Sequence, residues 1–336
     1  MTTLGAGEYR YRVSGKDWGN LPAGWGYGSE VTAVAVDARD NLYVFSRGER
    51  QVVVLDPNGD VLRTWGEERM FDNPHGALIG PDGSVYVVDK GEHVVQKFTP
   101  EGDLLMTIGS RGRPSPPMSG EPFSFPTHVA LDPVTGDLYV SDGYSNARVH
   151  KYSPDGNHLF SWGESGTDPG QFNLVHNIAT DRDGWVYVAD RQNKRIQIFD
   201  STGRYETQWV NLARANCVCL DRTGDGLVYV AELYSGVATN VTGMRIGPRI
   251  TVLDRQGNVK ARLGEHSFGA APGRFYAPHG MAADSRGNIY LAESSLSETG
   301  HDRYGGTVDR SQELRSLQKL VRVGTVPHHP TGPEGA

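Results

Sequence analysis

The stretch WVYVAD, residues 185–190, decides the fold because versions of it occur six times along the chain. Its β-branched and aromatic residues favour a strand, and the acidic residue at its end indicates a turn. The other copies are NLYVF (41–45), SVYVVD (84–89), DLYVSD (137–142), LVYVAE (227–232) and NIYLAE (288–293). Self-similarity at a period of roughly 45 residues indicates a repeat architecture.

The surroundings of each copy show what the repeating unit is. An apolar strand precedes the copy and a third strand follows it, as in RIQIFDSTGR (195–204). A short fourth strand then ends near a glycine, as in LFSWG (159–163). Four strands per unit are typical of a propeller blade. The sequence therefore predicts an all-β fold, a six-bladed β-propeller.

The sequence pattern of the last unit shows only three strands, so another segment is needed to supply the fourth. We expect EYRYRVSGKDWG (8–19) to pair with that blade and close the ring, because closure removes exposed strand edges. The resulting prediction is a single propeller over residues 1–323, with an insertion at about 295–316 in blade six. Residues 324–336 are predicted to be a disordered tail.

Composition limits the class of partner. The net charge is −7 and no basic stripe is present, which argues against nucleic acid. No apolar run approaches the roughly 18 residues of a membrane helix. The first residues lack the apolar core of a secretory signal, and Cys217 and Cys219 are too close and too straight on one strand to bridge easily. We therefore expect a cytoplasmic protein without membrane or nucleic-acid partners, and a closed propeller can stand alone as a monomer.

Histidine recurs where the first strands begin. Alignment of the six units places Thr32, His75, His128, His176, Asn216 and His279 at one position. His75, His176 and His279 belong to blades two, four and six, and each follows a phenylalanine by four residues. First strands line the axis of a propeller, so residues from alternate blades approach the hub about 120° apart. The alternative interpretation is that histidine only fills a polar channel mouth.

Three converging imidazoles favour a metal site. Neutral imidazole binds zinc at about 2.0–2.1 Å, and a set of three leaves a fourth position for water or substrate. We therefore predict that His75, His176 and His279 are zinc ligands. His128 breaks the three-fold arrangement, so we interpret it as a partner of the ligands or a substrate contact.

The loops after the second strands point to the same mouth of the channel. They supply Arg47 in FSRGER, Tyr144 in SDGYSNAR and Arg191 in ADRQNKR. The arginines are suited to bidentate contacts with a carboxylate, and Tyr144 is a candidate base. The aspartates that end second strands are predicted to stabilise turns. They are Asp89, Asp142 and Asp190.

Through RQNKRIQIFD and its relatives, the chain resembles the NHL-repeat propellers. More narrowly, it resembles the peptidyl-α-hydroxyglycine α-amidating lyase (peptidylamidoglycolate lyase) family. The motifs that carry this resemblance are SRGER, NPHGAL, SDGYSNAR, LVHNIA and APHGM, in that order, and the similarity covers about residues 30–293. It implies a zinc-dependent lyase that splits the N–C bond of a carbinolamide and releases a primary amide and glyoxylate.

The resemblance also implies roles for individual residues. His75, His176 and His279 would hold the zinc. Tyr144 would be the base that accepts the substrate's hydroxyl proton. Arg47 would bind substrate and stabilise negative charge in the reaction.

The chain departs from that family at several positions. An aspartate that binds a structural calcium in the family is replaced by Gly280, which argues against calcium and leaves it as an alternative. Where the family's tyrosine is followed by a cysteine, this chain has Ser145. Two other functions stay open: a metal-dependent hydrolase of the lactonase or esterase type, and a non-catalytic NHL scaffold.

Overall fold

The computed structural model describes residues 2–15, 18–67, 69–235, 246–264, 269–299 and 313–323. Within these ranges the chain forms 25 strands in six sheets and one short helix, α1 (Ser295–Thr299). The predicted second strands are confirmed to within a residue or two, and the all-β, six-bladed propeller is confirmed with them.

Five blades are four-stranded sheets in which neighbouring strands follow one another along the chain. Blade one is β3 (Val31–Val36), β4 (Leu42–Ser46), β5 (Val52–Leu55) and β6 (Val61–Trp65). Blade two is β7 (Pro74–Ile79), β8 (Val85–Asp89), β9 (Val94–Phe98) and β10 (Leu104–Gly109). Blade three is β11 (Pro126–Leu131), β12 (Leu138–Asp142), β13 (Arg148–Tyr152) and β14 (His158–Trp162). Blade four is β15 (Val175–Thr180), β16 (Val186–Asp190), β17 (Arg195–Phe199) and β18 (Tyr205–Trp209). Blade five is β19 (Arg214–Leu220), β20 (Leu227–Leu233), β21 (Arg249–Asp254) and β22 (Val259–Leu263).

Blade six joins the two ends of the chain, as predicted. Its strands are β23 (Pro278–Ala283), β24 (Ile289–Glu293), β25 (Leu317–Arg322), β2 (Tyr9–Val13) and β1 (Thr3–Ala6). Strand β2 pairs antiparallel with β25, with Tyr11 opposite Arg322. The hairpin strand β1 adds a fifth strand that the sequence pattern did not predict. The first strands lie side by side around the axis, and β23 lies against β3, which closes the ring.

The hydrophobic core lies between the blades. The second strands are buried along their whole length because both of their faces pack against neighbouring blades. One cluster, for example, joins Phe45 and Trp65 of blade one to Phe71 and Phe98 of blade two. This packing holds each first strand at a fixed angle to the axis, which fixes where its side chains meet.

The insertion in blade six is described only at its two ends. Helix α1 begins it, and residues 313–316 lead back into β25. The backbone amide of Leu314 donates to Ser29 Oγ at 2.7 Å, and that of Tyr27 donates to Glu313 Oε1 at 2.6 Å. Both contacts attach the insertion to the segment that precedes β3. Residues 300–312 and the tail predicted over 324–336 lie outside the described residues.

No helix in the described part of the chain has the length and apolar character needed to cross a membrane.

Candidate metal centre

Every first strand leaves one residue out of its pairing with the second strand, at the same place in each blade. In blade two, Pro74 pairs with Asp89 and Gly76 with Val88, so His75 is left between them as a bulge. The bulged residues of the six blades are Thr32, His75, Thr127, His176, Asn216 and His279. A β-bulge redirects a side chain, and here it places three imidazoles at the hub from alternate blades.

The predicted alignment of His128 with these residues is wrong. Pro126 pairs with Asp142 and His128 with Ser141, so Thr127 is the bulged residue of blade three. His128 follows the bulge and lies one residue further along its strand. The error arose because histidine was matched to histidine, and the sequence alone does not show which residue the bulge leaves unpaired.

Buried phenylalanines fix the start of each histidine-bearing strand. Phe71, Phe172 and Phe275, each four residues before a histidine, are at most 1% exposed. The ring of Phe172 packs against Gly163 at the end of the preceding blade's fourth strand. A Cβ added to Gly163 would lie 2.3 Å from that ring, and the glycine has φ +93°. Only glycine therefore fits at this position, which explains why the fourth strands end near one.

Carboxylates at the ends of the second strands accept hydrogen bonds from backbone amides in the loops that precede the hub histidines. The three contacts are Asn73 N–H to Asp89 (2.9 Å), Asn173 N–H to Asp190 (2.7 Å) and Ala277 N–H to Glu293 (3.2 Å). Each amide lies two or three residues before a hub histidine. Asp89 also accepts from the amides of Gly91 and Glu92, which confirms its predicted role in the turn. Asp89 has a second role, which is to hold the loop before His75 through the amide of Asn73. Sequence reasoning missed this role.

The three imidazoles meet at the axis. One nitrogen from each of His75, His176 and His279 lies within 4.8 Å of the other two, and all three side chains are buried. Each Nδ1 is within hydrogen-bond distance of a main-chain carbonyl of the next blade. The partners are Thr127 O for His75 (2.8 Å), Asn216 O for His176 (2.7 Å) and Thr32 O for His279 (2.7 Å). Because a carbonyl can only accept, each Nδ1 carries the proton, and each Nε2 directs its lone pair to the hub.

The electrostatic environment keeps these imidazoles neutral. Burial and the positive charge of Arg47 together lower the pKa of His279 to about 3. Burial also lowers the pKa of His75 and His176 well below the usual range, with further lowering by the neighbouring histidines for His75 and by Arg191 for His176. A neutral imidazole is the form that binds a metal ion. This donor set of three nitrogen atoms therefore fits a transition metal such as zinc.

Tyr144 lies over the same hub. Its hydroxyl is 3.2 Å from Nε2 of His75 and 3.1 Å from Nε2 of His176. Since both Nδ1 atoms donate to carbonyls, both Nε2 atoms are acceptors, and the hydroxyl donates to one of them at a time. The structure thus brings the predicted base to the predicted ligands, from a different blade.

The two predicted arginines differ in whether a carboxylate balances their charge. Arg47 donates from Nη1 to Glu30 Oε2 at 2.8 Å and to Ser297 Oγ at 3.3 Å, so its charge is balanced by a buried carboxylate. Arg191 is only 7% exposed, and the one hydrogen bond that its guanidinium makes within the described ranges is a long contact of 3.4 Å from Nη1 to Asn216 Oδ1. No described carboxylate lies within ion-pair distance of Arg191. A buried guanidinium without a carboxylate is costly unless an anionic ligand binds there.

Sequence reasoning missed Lys90, which lies beside these groups. Its ammonium is 4.6 Å from the centre of the Tyr144 ring, and Arg191 lies over the same ring at 5.5 Å. A signal for it was present in the repeat, because Arg47, Lys90 and Arg191 each directly follow a second strand. The backbone amide of each donates to the carbonyl two residues before a bulge, which confirms that the three positions are equivalent.

His128 faces a different part of the channel. It lines a cavity of about 450 Å³ beyond the three imidazoles, which none of Tyr144, Arg47 and Arg191 lines. Its Nδ1 is buried without a partner among the described residues, and burial lowers its pKa to about 4. The predicted contact of His128 with substrate is untested and stays a prediction.

The position of Gly280 bears on the calcium alternative. A Cβ added there would lie 2.7 Å from the carbonyl oxygen of Thr32, so the backbone leaves no room for a larger side chain. The small cavity beneath the three imidazoles has no carboxylate among its lining residues, which include His128 and Asn177. Calcium prefers several oxygen ligands, usually with carboxylates among them. The residues present therefore do not fit a calcium ion at this place.

These features define a class of protein, a six-bladed propeller with a three-histidine candidate metal centre at its hub. No protein-family model matches the chain. The chain is 30% identical over 300 residues to peptidyl-glycine alpha-amidating monooxygenase B of Xenopus laevis, which covers 79% of this chain and 33% of that protein. It is 29% identical over 314 residues to peptidyl-alpha-hydroxyglycine alpha-amidating lyase 1 of Drosophila melanogaster, covering 78% of this chain and 55% of that one.

A third relative is NHL repeat-containing protein 3 of Mus musculus, 36% identical over 209 residues, 57% of this chain and 59% of that one. The chain is thus a homologue of proteins named peptidyl-α-hydroxyglycine α-amidating lyase, and the predicted resemblance to that family is confirmed. It spans about a third of the length of the monooxygenase and about half of the lyase.

Among solved structures, one titled Streptogramin B lyase structure superposes with a TM-score of 0.56 over 94% of this chain and 97% of that chain. The sequence identity is 13%, so this likeness concerns the fold alone.

Proposed function

We propose that this protein is a zinc-dependent lyase that cleaves the N–C bond of an α-hydroxylated amide, giving an amide and a carbonyl product such as glyoxylate. The observation that carries the proposal is the position of the Tyr144 hydroxyl, 3.2 and 3.1 Å from the Nε2 atoms of His75 and His176. A proton-accepting side chain and a candidate metal centre thus lie within reach of one substrate hydroxyl.

Nε2 of His75, His176 and His279 would hold the metal. A zinc ion bound there supplies a Lewis acid for the substrate's hydroxyl oxygen. The chain contributes the preset orientation of the imidazoles, because all three Nδ1 atoms are already engaged by carbonyls. Such outer contacts fix the tautomer and the direction of each ligand.

Arg191 would bind the carboxylate of the substrate. Its guanidinium is buried and lacks a carboxylate partner within the described residues, and two parallel N–H groups match the two oxygens of a carboxylate. Arg47 is held by Glu30 at the opposite side of the hub, where its remaining donors stabilise negative charge on the reacting oxygen. The two arginines thereby orient the carbinol carbon toward Tyr144.

Tyr144 would move the proton. As the phenolate, its oxygen accepts the proton of the substrate hydroxyl while the electron pair of that O–H bond forms the new C=O bond. The C–N bond breaks, and its electron pair stays on the nitrogen, which must gain a proton to leave as the amide. The Tyr144 oxygen holds a proton at that stage and returns it. The charged groups of Lys90 and Arg191 lie 4.6 and 5.5 Å from the centre of the Tyr144 ring.

A metal-dependent hydrolase would use the same hub and differ in substrate. It is less favoured because the described cluster of candidate ligands consists of three histidines and contains no carboxylate. A scaffold without catalysis would need no metal. The convergence of the Nε2 lone pairs of His75, His176 and His279 would then have no function, which disfavours this alternative. As parts of the same proposal, we expect a small-molecule or peptide-like substrate, no nucleic-acid or membrane partner, a monomer and a cytoplasmic location.

Two measurements on the purified chain test the proposal. Elemental analysis should find one zinc per chain, and α-hydroxyhippurate should yield benzamide and glyoxylate. Bound metal with hydrolysis of esters or lactones and no glyoxylate would support the hydrolase instead. Absence of any stoichiometric metal would leave only the scaffold.

A further inference from the structure

The mouth of the hub holds more positive charge than a substrate with one carboxylate can balance. Arg47, Lys90 and Arg191 approach from blades one, two and four. The Lys90 ammonium and the Arg191 guanidinium lie 4.6 and 5.5 Å from the centre of the Tyr144 ring. Glu30 balances Arg47 at 2.8 Å. Within the described ranges, Arg191 and Lys90 have no carboxylate within ion-pair distance. One of these two charges is left over after a single carboxylate binds.

The environment of Lys90 disfavours its charge in the free protein. Burial, together with the neighbouring Arg47 and Arg191, lowers its pKa to about 8, against weaker opposing effects of Glu30 and Asp72. A lysine that served only to pack against the Tyr144 ring would gain more from a neighbouring carboxylate than from two neighbouring arginines. The arrangement is therefore one that an incoming anion would stabilise.

We propose that Lys90 is a specificity-determining residue that binds a second carboxylate, located on the acyl part of the substrate. The preferred substrates are then dianionic N-acyl-α-hydroxyglycines, with one carboxylate at Arg191 and the other at Lys90. This inference rests on the proposed function, since it assigns the α-hydroxyglycine end of the substrate to Arg191.

Binding of unreactive analogues tests the inference without turnover. Hippurate carries one carboxylate, and its meta- and para-carboxy derivatives carry two. Calorimetry on the metal-loaded protein should show that one of the two dianions binds at least about tenfold more tightly than hippurate, as expected for a partly buried charge-assisted contact. Lys90→Met should remove this preference, and Lys90→Arg should restore most of it.

Lys97 offers a matched control. It lies in the same blade and over a tyrosine ring, Tyr86, at 5.4 Å, but it is paired with Asp82 at 3.3 Å. Lys97→Met should therefore keep the preference. Equal binding of hippurate and both dianions by the unaltered protein, or a preference that survives Lys90→Met, would overturn the inference. Failure of the proposed function would show differently, as a lack of glyoxylate release from α-hydroxyhippurate while the binding preference is still measurable.

Discussion

The hydroxyl of Tyr144 lies 3.1 Å from Nε2 of His176, although the two residues belong to different blades. Nδ1 of the same histidine is held at 2.7 Å by the carbonyl of Asn216, from yet another blade. A candidate metal ligand, the carbonyl that orients it and a candidate proton acceptor thus come from three neighbouring sheets. Because each sheet is fixed by its packing against the next, the hub is assembled by folding alone.

Replacement of Tyr144 by phenylalanine tests the proton transfer. The ring would still pack beneath Lys90 and Arg191, and the three imidazoles would keep their carbonyl contacts. We therefore expect metal content to be retained while kcat on α-hydroxyhippurate falls by roughly 10²–10⁴-fold, the usual contribution of general acid–base catalysis. Tyr205→Phe, on the outer strand β18, is the control and should keep full activity. If Tyr144→Phe keeps its activity as well, another group is the base.

Removal of one hub imidazole tests the metal site. His176→Ala leaves two Nε2 donors, so bound zinc should fall sharply and glyoxylate release should disappear. His128→Ala should keep one zinc per chain, because His128 is not at a bulged position. Elemental analysis of both variants, with circular dichroism to verify folding, gives the answer. Full metal content in a folded His176→Ala protein is incompatible with its role as a ligand.

The sequence predicted the blade count and ring closure because each blade repeats the same strand pattern, and each second strand is buried on both faces. It also predicted that His75, His176 and His279 meet at the hub, since Phe71, Phe172 and Phe275 mark equivalent positions. It misplaced His128 because the position of a bulge depends on how two strands pair. The residue types alone do not show that position. It missed Lys90 because a lysine that follows a strand is usually an exposed side chain. Only the folded structure shows that Lys90 lies near Tyr144, which belongs to another blade.

The carboxylates that hold the histidine loops give a prediction about stability. Asp190 is fully buried and accepts hydrogen bonds from the Asn173 amide, Asn193 and Arg195. Asp190→Ala would leave the buried Arg195 guanidinium without its carboxylate, so the free energy of unfolding should fall by about 3–5 kcal/mol. The loop before His176 would also loosen, and zinc affinity should decrease. Urea denaturation measures the first effect, with the exposed Asp183→Ala as a control expected to change stability by less than about 1 kcal/mol.

The preference for dianionic ligands should depend on pH through Lys90. Its pKa is lowered to about 8, so in the free protein the amine is charged below that pH and becomes neutral above it. The charged groups that act on it are Arg47, Arg191, Glu30 and Asp72, and it faces the ring of Tyr144. The ratio of the affinities for the preferred carboxy derivative and for hippurate should therefore be highest near neutral pH and fall as pH rises through about 8. Arginine at position 90 stays charged, so Lys90→Arg should give a ratio that does not change with pH. A ratio that is constant in the unaltered protein as well would show that the charge of Lys90 does not contribute to binding.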